Sequence, residues 1–404
     1  MKKQYTEILN LPGVIVKSKK EIEQSLILEV ECQSKTAICP HCQQSSHRLH
    51  QNHCHLIKDL PWGEKEVFLK INRRQFKCGH CQKIFSEDLS FVGKRKKYTD
   101  RYAKSITEQV LNSNLLNVAK KNNLTESEVE AMINQISQKV LPINLKEVTR
   151  VGIDEISLVK GQGKFIVVLV DLDTGQLIAL IKERKSETIE AFLKSWSQEI
   201  LEQIKEVSMD LLKMYKTVFN KLCPNAVITA DRFHVSKLLH QELNQGRIDQ
   251  KKTANDLAIK AREKIFSTLK GGKYVLLKRE KELKEKSKDK LAQIKQASPL
   301  LGVMHTLKEE FTEIFENSQN LGEGTIQLTE WLIKAEIFFP KTVKTIKNWF
   351  TEIVGYFEQK TTNGLVEGIN NRLKVIKRCA FGFRSFDNFQ KRALLFWHIP
   401  DSLA

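Results

Sequence analysis

Three acidic residues are the strongest candidates for chemistry in this sequence: Asp154, Asp210 and Glu367. Carboxylate oxygens are the hard ligands that Mg²⁺ prefers. Two such ions, held roughly 3.5–4 Å apart, can activate an attacking oxygen and stabilise the leaving oxygen in phosphoryl transfer. We therefore expect the three acids to hold two magnesium or manganese ions, provided that the fold brings them together.

The first two acids had to be chosen among neighbours. Asp154 and Glu155 alternate within one strand, so they point to opposite faces; we choose Asp154, the shorter side chain, and expect Glu155 to face solvent or to support the site from behind. Asp210 and Asp231 both end an apolar strand. We choose Asp210 because its strand is expected beside the first strand, and Asp231 with His234 is then expected to flank the site. A purely structural role for His234 stays open.

The third acid lies on a predicted amphipathic helix that begins at residue 364. At about 100° per residue, one face of this helix is apolar, and the other carries Glu367 with amides and cations. The alternative is a basic surface helix with one unimportant glutamate. We expect the polar face to hold the DNA backbone through Asn370, Asn371, Lys374 and Arg378.

The elements that must position these acids form a mixed pattern. Three strands with a hairpin, then helix, strand, helix and strand, match a ribonuclease-H-like α/β sheet over residues 146–235. Asp171 and Asp173 flank the hairpin turn, where aspartate serves the local backbone. Residues 236–356 are charged and helical throughout and predict an all-α insertion. Residues 357–404 then return to the catalytic domain and carry the glutamate helix.

Eight cysteines occur in the chain, and four of them form two Cys-x-x-Cys pairs 35 residues apart. This spacing predicts a closed, structural zinc site with four thiolates, Cys39, Cys42, Cys78 and Cys81, in a zinc-ribbon DNA-binding domain over residues 1–95. A redox pair would need only one motif. A site in which one thiolate is replaced also stays open, and its candidates are His47, His50, His53, Cys54 and His55.

Two further features predict DNA contact in the N-terminal region. Arg73 and Arg74 lie beside Phe76 in a segment that mixes cations with aromatic residues. Residues 96–145 have helical periodicity, with Asp100 as a candidate cap, a capping box at Thr125 and three short helices. We interpret these helices as a helix-turn-helix domain whose last helix enters the major groove.

Composition and charge restrict the class of protein. The chain has 404 residues, a net charge of +18 and a pI near 9.4, so a polyanion such as double-stranded DNA is the first partner to expect. The N-terminus does not resemble a signal peptide, and the longest apolar run, FIVVLV, is far too short to span a membrane. We therefore expect a cytoplasmic, DNA-associated protein of multidomain α+β class.

These motifs resemble, from end to end, the bacterial insertion-sequence DDE transposases of the ISL-three family. The resemblance implies DNA-end cleavage and strand transfer by an acidic triad at Asp154, Asp210 and Glu367, and a homodimer or higher oligomer when two DNA ends are paired. In related transposases a Cys-or-Asp-x-x-His motif follows the second aspartate, which Asp231 and His234 fit. The motifs that carry the resemblance are CPHC…CGHC, VGIDEIS, DLDTGQ, VSMD, PNAVITADRFHV and NGLVEGINNRLKVIKRCAFGF.

Two other functions were weighed against this one. A zinc-dependent DNA-binding repressor with an inactive nuclease-like domain would keep the basic surface but would not need three suitably placed acids. A ribonuclease-H-type nuclease would need the acids but not the N-terminal DNA-reading modules.

Overall fold

The computed structural model describes residues 2–140, 143–158, 163, 165–256, 258–360 and 364–399. The chain divides into two compact units. The first comprises Met1–Pro142, Ile376–Gly382 and Lys391–Ala404, and the second comprises Ile143–Val375 and Phe383–Gln390. The finer domain boundaries expected from the sequence stay predictions.

The first unit begins with a helix and a mostly antiparallel sheet. The sheet has the order β1-β2-β6-β5, with β7 paired to β6, and only the β2–β6 pair is parallel. Alternate residues of β2 and β6 point into one apolar core, which is why both strands alternate buried and exposed positions. The bounds are α1 (Lys2–Leu9), β1 (Val14–Ile22), β2 (Ser25–Cys32), β3 (Ala37–Ile38), β4 (Ser45–Ser46), β5 (Leu49–Trp62), β6 (Lys65–Lys77) and β7 (Ile84–Ser86).

Three helices follow this sheet, as the sequence predicts: α2 (Asp100–Leu111), α3 (Leu115–Lys121) and α4 (Glu126–Ser137). The predicted capping box is present, since Thr125 and Glu128 each bond the other's backbone N–H. The predicted cap of α2 was wrong by one residue. Thr99 caps the helix by accepting from the Tyr102 N–H, while Asp100 instead accepts from the Gln135 side chain at 2.6 Å. A hydroxyl that can reach the N–H three residues ahead suits the cap better than the carboxylate of the next residue.

The second unit is built on a five-stranded sheet of order β10-β9-β8-β11-β12. β8, β9 and β10 are antiparallel neighbours, whereas β11 runs parallel to both β8 and β12. The predicted succession of elements is present, except that the helix expected over residues 186–200 is two short helices. The bounds are β8 (Arg150–Ser157), β9 (Phe165–Asp171), β10 (Leu177–Ile181), α5 (Ser186–Leu193), α6 (Gln198–Gln203), β11 (Glu206–Met209), α7 (Lys213–Leu222) and β12 (Val227–Ala230).

The hairpin between β9 and β10 uses its aspartates locally. Asp171 accepts hydrogen bonds from the backbone N–H of Asp173 at 3.0 Å and from the hydroxyl of Thr174 at 2.5 Å. Asp173 in turn pairs with Arg150 at 3.0 Å. These carboxylates are occupied by the turn, as hairpin aspartates commonly are.

The stretch after β12 is helical throughout its described residues, as the sequence predicts. Its core is rich in aromatic side chains, among them Phe311, Phe315, Trp331 and Phe339. The helices are α8 (Arg232–Thr253), α9 (Ile259–Leu269), α10 (Gly272–Leu277), α11 (Glu285–Ala297), α12 (Pro299–Asn317), α13 (Leu321–Ala335), α14 (Pro340–Asn348), α15 (Phe350–Val354) and α16 (Tyr356–Gln359), followed by α17 (Gly364–Cys379) and α18 (Phe386–His398).

Helix α17 packs on the sheet of the second unit through its apolar face. The buried Val366 lies against Gly152 of β8 so closely that a Cβ at residue 152 would stand 2.6 Å from a Val366 methyl. This contact fixes where the helix, and therefore Glu367, lies relative to β8. Across the described residues, every helix is too short or too polar to cross a bilayer.

Candidate functional site

Strand register places three aspartates in a row. Met209 of β11 is paired with Ile153 of β8 on one side and with Ala230 of β12 on the other. All three strands run parallel, so the residues that come next, Asp154, Asp210 and Asp231, lie side by side at one edge of the sheet. Asp210 occupies the middle place, close enough to Asp154 for its charge to contribute to raising the pKa of Asp154.

His234, in the first turn of α8, connects two of these acids. Its Nδ1 lies 3.0 Å from a carboxylate oxygen of Asp210 and 3.0 Å from one of Asp231. The two carboxylates raise the pKa of His234 to about 10, with Asp210 as the first cause. The imidazole is therefore protonated at neutral pH and offsets part of the negative charge at the sheet edge.

Asp231 and Asp210 differ in the hydrogen bonds that their carboxylate oxygens accept. One oxygen of Asp231 accepts from the Phe233 N–H at 3.0 Å and the other is paired with His234, so Asp231 caps α8 and holds the imidazole. The buried Oδ1 of Asp210 lies 3.0 Å from the same His234 Nδ1 but accepts no hydrogen bond of good geometry from the described residues. Asp210 thus takes part in an ion pair with His234 and, unlike Asp231, caps no helix. The ligand atoms of Asp210, Asp231 and His234 also lie within 4.8 Å of one another.

Asp154 is half-buried and held by two donors. Its Oδ1 accepts from the Glu155 N–H at 2.6 Å, and its Oδ2 accepts from the side-chain amide of Asn370. Burial, reinforced by the Asp210 charge, raises the pKa of Asp154 to about 7. A bound cation would restore the charged form, because an adjacent positive charge favours an ionised carboxylate.

Glu155 does not simply face solvent, which was one of the two expectations for it. Its carboxylate pairs with Arg184 at 2.5 Å and accepts a hydrogen bond from the hydroxyl of Tyr215 at 3.3 Å. The second alternative, a role in supporting the site from behind, agrees with these contacts.

Glu367 opens onto the same cavity as two of the three aspartates, Asp154 and Asp231, whereas Asp210 does not line it. This cavity, of about 420 Å³, is lined by Asp154, Asp231, His234 and Glu367 together with residues of α8, α12 and α17. Two cations also line it, Lys374 from α17 and Arg232 from α8, whose guanidinium lies 5.4 Å from the centre of the Tyr356 ring. The cavity can therefore hold both a cation, between carboxylates, and an anion such as phosphate.

The two faces of α17 are close to those expected. Val366, Ile369, Leu373 and Ile376 are buried, whereas Leu365, expected with them, is 41% exposed. Asn371, Lys374 and Arg378 lie on the exposed face. Asn370, which the sequence analysis grouped with these three, is only 3% exposed because its amide is turned toward Asp154.

The four cysteines of the two Cys-x-x-Cys pairs meet in the first unit. Sγ of Cys39 lies 3.6 Å from that of Cys81, and Sγ of Cys42 lies 3.5 Å from that of Cys78. Zinc with Zn–S bonds of about 2.3 Å at tetrahedral angles needs sulfurs roughly 3.8 Å apart. The spacing of the sulfurs therefore fits one zinc ion.

Each pair forms the same local loop. The backbone N–H of Cys39 donates to Gln44 and that of Cys78 donates to Lys83, both at 2.9 Å, and a glutamine with positive φ follows each pair. The backbone N–H of Cys81 helps to lower the pKa of Cys78 to about 6, which favours the thiolate that zinc binds. Four donors leave no open position, so a metal here would be structural.

The other N-terminal candidates lie outside this group. Among the described residues the group contains only the four cysteines, and the alternative ligands His47, His50, His53, Cys54 and His55 are all exposed. Arg74 is held by Glu87 through contacts of 2.6 and 3.0 Å, and Arg73 donates to the Glu87 backbone. Binding of DNA by these two arginines stays a prediction, and their present contacts are internal.

Among the residues that line the cavity, sequence reasoning did not single out Arg232. It did single out Asn370 but missed the contact of Asn370 with Asp154. A signal existed for Asn370: it follows Glu367 by three residues, a spacing that places both side chains on neighbouring positions of one helix surface. The contact of Asn370 with Asp154 spans 216 residues, which no local pattern can reveal.

Comparison with known proteins agrees with this geometry. Residues 151–393, more than half of the chain, match a family model described as a transposase of the ISL-three group, and residues 35–81 match the zinc-finger of transposases IS204, IS1001, IS1096 and IS1165. The transposase for insertion sequence element IS1001 of Bordetella parapertussis is 25% identical over 372 residues, covering 91% of this chain and 90% of the relative.

Two further relatives match shorter stretches. The transposase for insertion sequence element IS1557 of Mycobacterium tuberculosis is 29% identical over 259 residues, which is 58% of this chain and 57% of the relative. A Lactococcus lactis chain named as an ATP-dependent protease is 32% identical over 102 residues, only 24% of this chain and 31% of its own length. The extent of the family match decides the matter: the chain belongs to the ISL-three family of transposases.

Proposed function

We propose that this transposase is a DDE enzyme that binds the terminal inverted repeats of an insertion sequence, hydrolyses the DNA ends and joins them to target DNA. One observation carries the proposal: Asp154, within β8, adjoins Asp210, the residue that follows β11, and Glu367 opens onto the cavity that Asp154 also lines. The strand order, with a helical stretch between the last strand and the glutamate helix, supports a ribonuclease-H-like catalytic domain with an all-α insertion.

Asp154, Asp210 and Glu367 are the proposed ligands of two magnesium or manganese ions. The fit rests on the donor set: Asp154 and Asp210 adjoin on neighbouring strands, and Glu367 lines the cavity that Asp154 also lines. When bound, such ions activate the attacking oxygen and stabilise the leaving one. His234, kept protonated by Asp210 and Asp231, limits the repulsion among the acids and orients the Asp210 carboxylate.

The cations around the cavity are proposed to hold the DNA backbone. Lys374 and Arg232 line it beside the acids, and a guanidinium or ammonium group donates only, so each can bind phosphate oxygens. Asn371 and Arg378 extend this surface along the exposed face of α17. The net charge of +18 favours the same partner.

The first unit is the proposed reader of the transposon ends. Its four-cysteine group is proposed to bind a structural zinc ion, and helices α2 to α4 are proposed to act as a helix-turn-helix with α4 in the major groove. Because both ends of an element must be held together for joining, a homodimer or higher oligomer on DNA is part of the proposal.

The test separates binding from chemistry. A duplex that carries the inverted repeat flanking the gene is bound in Ca²⁺ and then given Mg²⁺, and both the mobility shift and the nicked strand are measured for the wild type, Asp154→Asn and Glu367→Gln. We expect all three to bind, with Kd values within a few-fold of one another, and only the wild type to nick the end. Binding without nicking by the wild type would favour a repressor, and nicking by both variants would reject the acidic site.

A further inference from the structure

Asn370 differs from the other polar residues of α17 in its surroundings. It is 3% exposed, and its side-chain N–H₂ donates to Oδ2 of Asp154. Its Oδ1 is buried and has no hydrogen-bond partner among the described residues, although Asn370 lines the cavity shared by Asp154 and Glu367. A buried acceptor left unpaired is destabilising, so a ligand that pairs with this oxygen would be favoured.

The orientation of the amide follows from its partner. In its ionised form, which a bound cation favours, the Asp154 carboxylate only accepts hydrogen bonds, so the N–H₂ group faces Asp154 and Oδ1 faces away from it. The partner that Oδ1 lacks must therefore be a donor or a cation. A phosphate oxygen is neither, and for this reason the side chain is unsuited to hold the DNA backbone as we first expected.

We propose that Asn370 is a positioning residue of the metal centre, in which its N–H₂ fixes the Asp154 carboxylate and its Oδ1 serves as a neutral oxygen donor to the hydrated divalent cation. This inference rests on the proposed function, because it assumes that Asp154 and Glu367 bind that cation. Amide oxygens are accepted ligands of hard cations. Groups that bond a metal ligand from behind are worth roughly 10–100-fold in metal affinity or activity.

The geometry also gives Asn370 a mechanical role. It lies one turn beyond Glu367 on the same helix, so its bond to Asp154 joins the helix that carries the third acid to the strand that carries the first. The two ligands are thereby held at a fixed separation before a cation arrives, and less ordering is needed when it binds.

The test measures cation binding by the full-length protein without DNA. Free Mn²⁺ is followed by electron paramagnetic resonance during titration of the wild type, Asp154→Asn, Asn370→Leu and Asn370→Asp. Leucine nearly matches asparagine in shape but can neither donate nor accept. Aspartate keeps an oxygen toward the cavity and loses the donor. Circular dichroism and thermal unfolding check that each variant is folded.

We expect Asn370→Leu to bind Mn²⁺ roughly 10–100-fold more weakly than the wild type, and Asn370→Asp to bind it at least as tightly because the added charge attracts the cation. Asn370→Asp should nevertheless nick DNA ends more slowly, since Asp154 has lost its donor. Mn²⁺ affinity of Asn370→Leu equal to that of the wild type would overturn the inference. Equally weak binding by both variants would overturn the role of Oδ1.

A double-mutant comparison distinguishes this inference from the proposed function. If Asn370 acts through Asp154, adding Asn370→Leu to Asp154→Asn should weaken Mn²⁺ binding less than it does in the wild type. A wild type that binds no Mn²⁺ in this site would overturn both proposals. Suppose instead that the wild type binds Mn²⁺, that Asp154→Asn abolishes this binding, and that Asn370→Leu has no effect on it. That result would overturn the role of Asn370 and leave the proposed function standing.

Discussion

Asp154 and Asp210 lie side by side because the residues before them, Ile153 and Met209, are paired in register on neighbouring parallel strands. The sheet thus brings together two acids that are 56 positions apart in the chain. A third acid, Asp231, follows the next strand and is placed beside Asp210 by the same rule. The three aspartates differ in the hydrogen bonds and ion pairs that their carboxylate oxygens form. Mutation can therefore test whether Asp210 or Asp231 is the proposed second metal ligand.

Exchange of each aspartate for asparagine should distinguish Asp210 from Asp231. Asp210→Asn should abolish DNA-end nicking, because it removes the carboxylate that adjoins Asp154 and that, unlike Asp231, caps no helix. Asp231→Asn should retain part of the activity, because asparagine still accepts the Phe233 N–H at the helix cap. Nicking by both variants is measured at equal DNA occupancy. Full nicking by Asp210→Asn together with none by Asp231→Asn would assign the metal ligand to Asp231 instead.

Gly152 should also affect nicking, although it has no side chain to take part in the chemistry. In Gly152→Ala the new methyl would stand 2.6 Å from Val366 and 2.8 Å from Leu172. The Leu172 side chain can rotate, but the branched Val366 side chain is stiff, so we expect α17 to shift away from β8. Overpacking of this kind costs about 1–3 kcal/mol, and displacement of a catalytic group by 1 Å can cost roughly 10²-fold in rate. We expect Gly152→Ala to bind DNA ends normally and to nick them at least tenfold more slowly.

The matched control lies on the same helix. A Cβ on Gly368 would contact nothing within 4 Å, so Gly368→Ala should leave nicking unchanged and stabilise the helix by about 0.5–1 kcal/mol. Equal nicking by the two alanine variants would show that the position of α17 does not depend on the contact between Gly152 and Val366.

Much of the site could be predicted because its signals are local. The capping box at Thr125, the alternation that separates Asp154 from Glu155 and the apolar face of α17 all depend on residues a few positions apart. The choice of Asp210 needed one further step, the order of strands, which follows from the succession of elements. The cysteine spacing likewise predicted which four sulfurs meet.

The rest depends on contacts between distant segments. Strand β2 was not predicted, since it joins the sheet by pairing with β6 across more than 30 residues. Strand β1, also not predicted, pairs with β2 alone among the described strands. Asn370 was assigned to the exposed face because helical periodicity describes a helix by itself, whereas the burial of Asn370 is decided by Asp154 on a strand. Arg74 was assigned to DNA because its neighbours are basic, and its actual partner, Glu87, is a buried acid.

Zinc content should depend on the four-cysteine group and on no other cysteine. Cys78→Ser should lower the zinc content from one ion per chain to none and weaken binding to the DNA end, while the sheet of the second unit stays folded. Cys54→Ser is the matched control, since Cys54 is exposed and outside the group. Metal is measured by mass spectrometry after dialysis. Loss of zinc from Cys54→Ser would instead support the alternative in which Cys54 replaces one of the four thiolates.

Acid should destabilise the helical stretch through His305, which is fully buried on α12 with both ring nitrogens unpaired. Burial, with the Lys308 charge, lowers the pKa of His305 from 6.5 to about 4, although Glu280 and Glu309 lie 3.8 and 3.9 Å away. The unfolded chain therefore binds a proton that the folded chain does not, and stability falls as the pH drops from about 6.5 toward 4. At pH 5 the loss is about 2 kcal/mol. His305→Leu removes this titration, so its Tm should fall less than that of the wild type between pH 7 and pH 5. Parallel Tm curves for the two proteins would contradict the prediction.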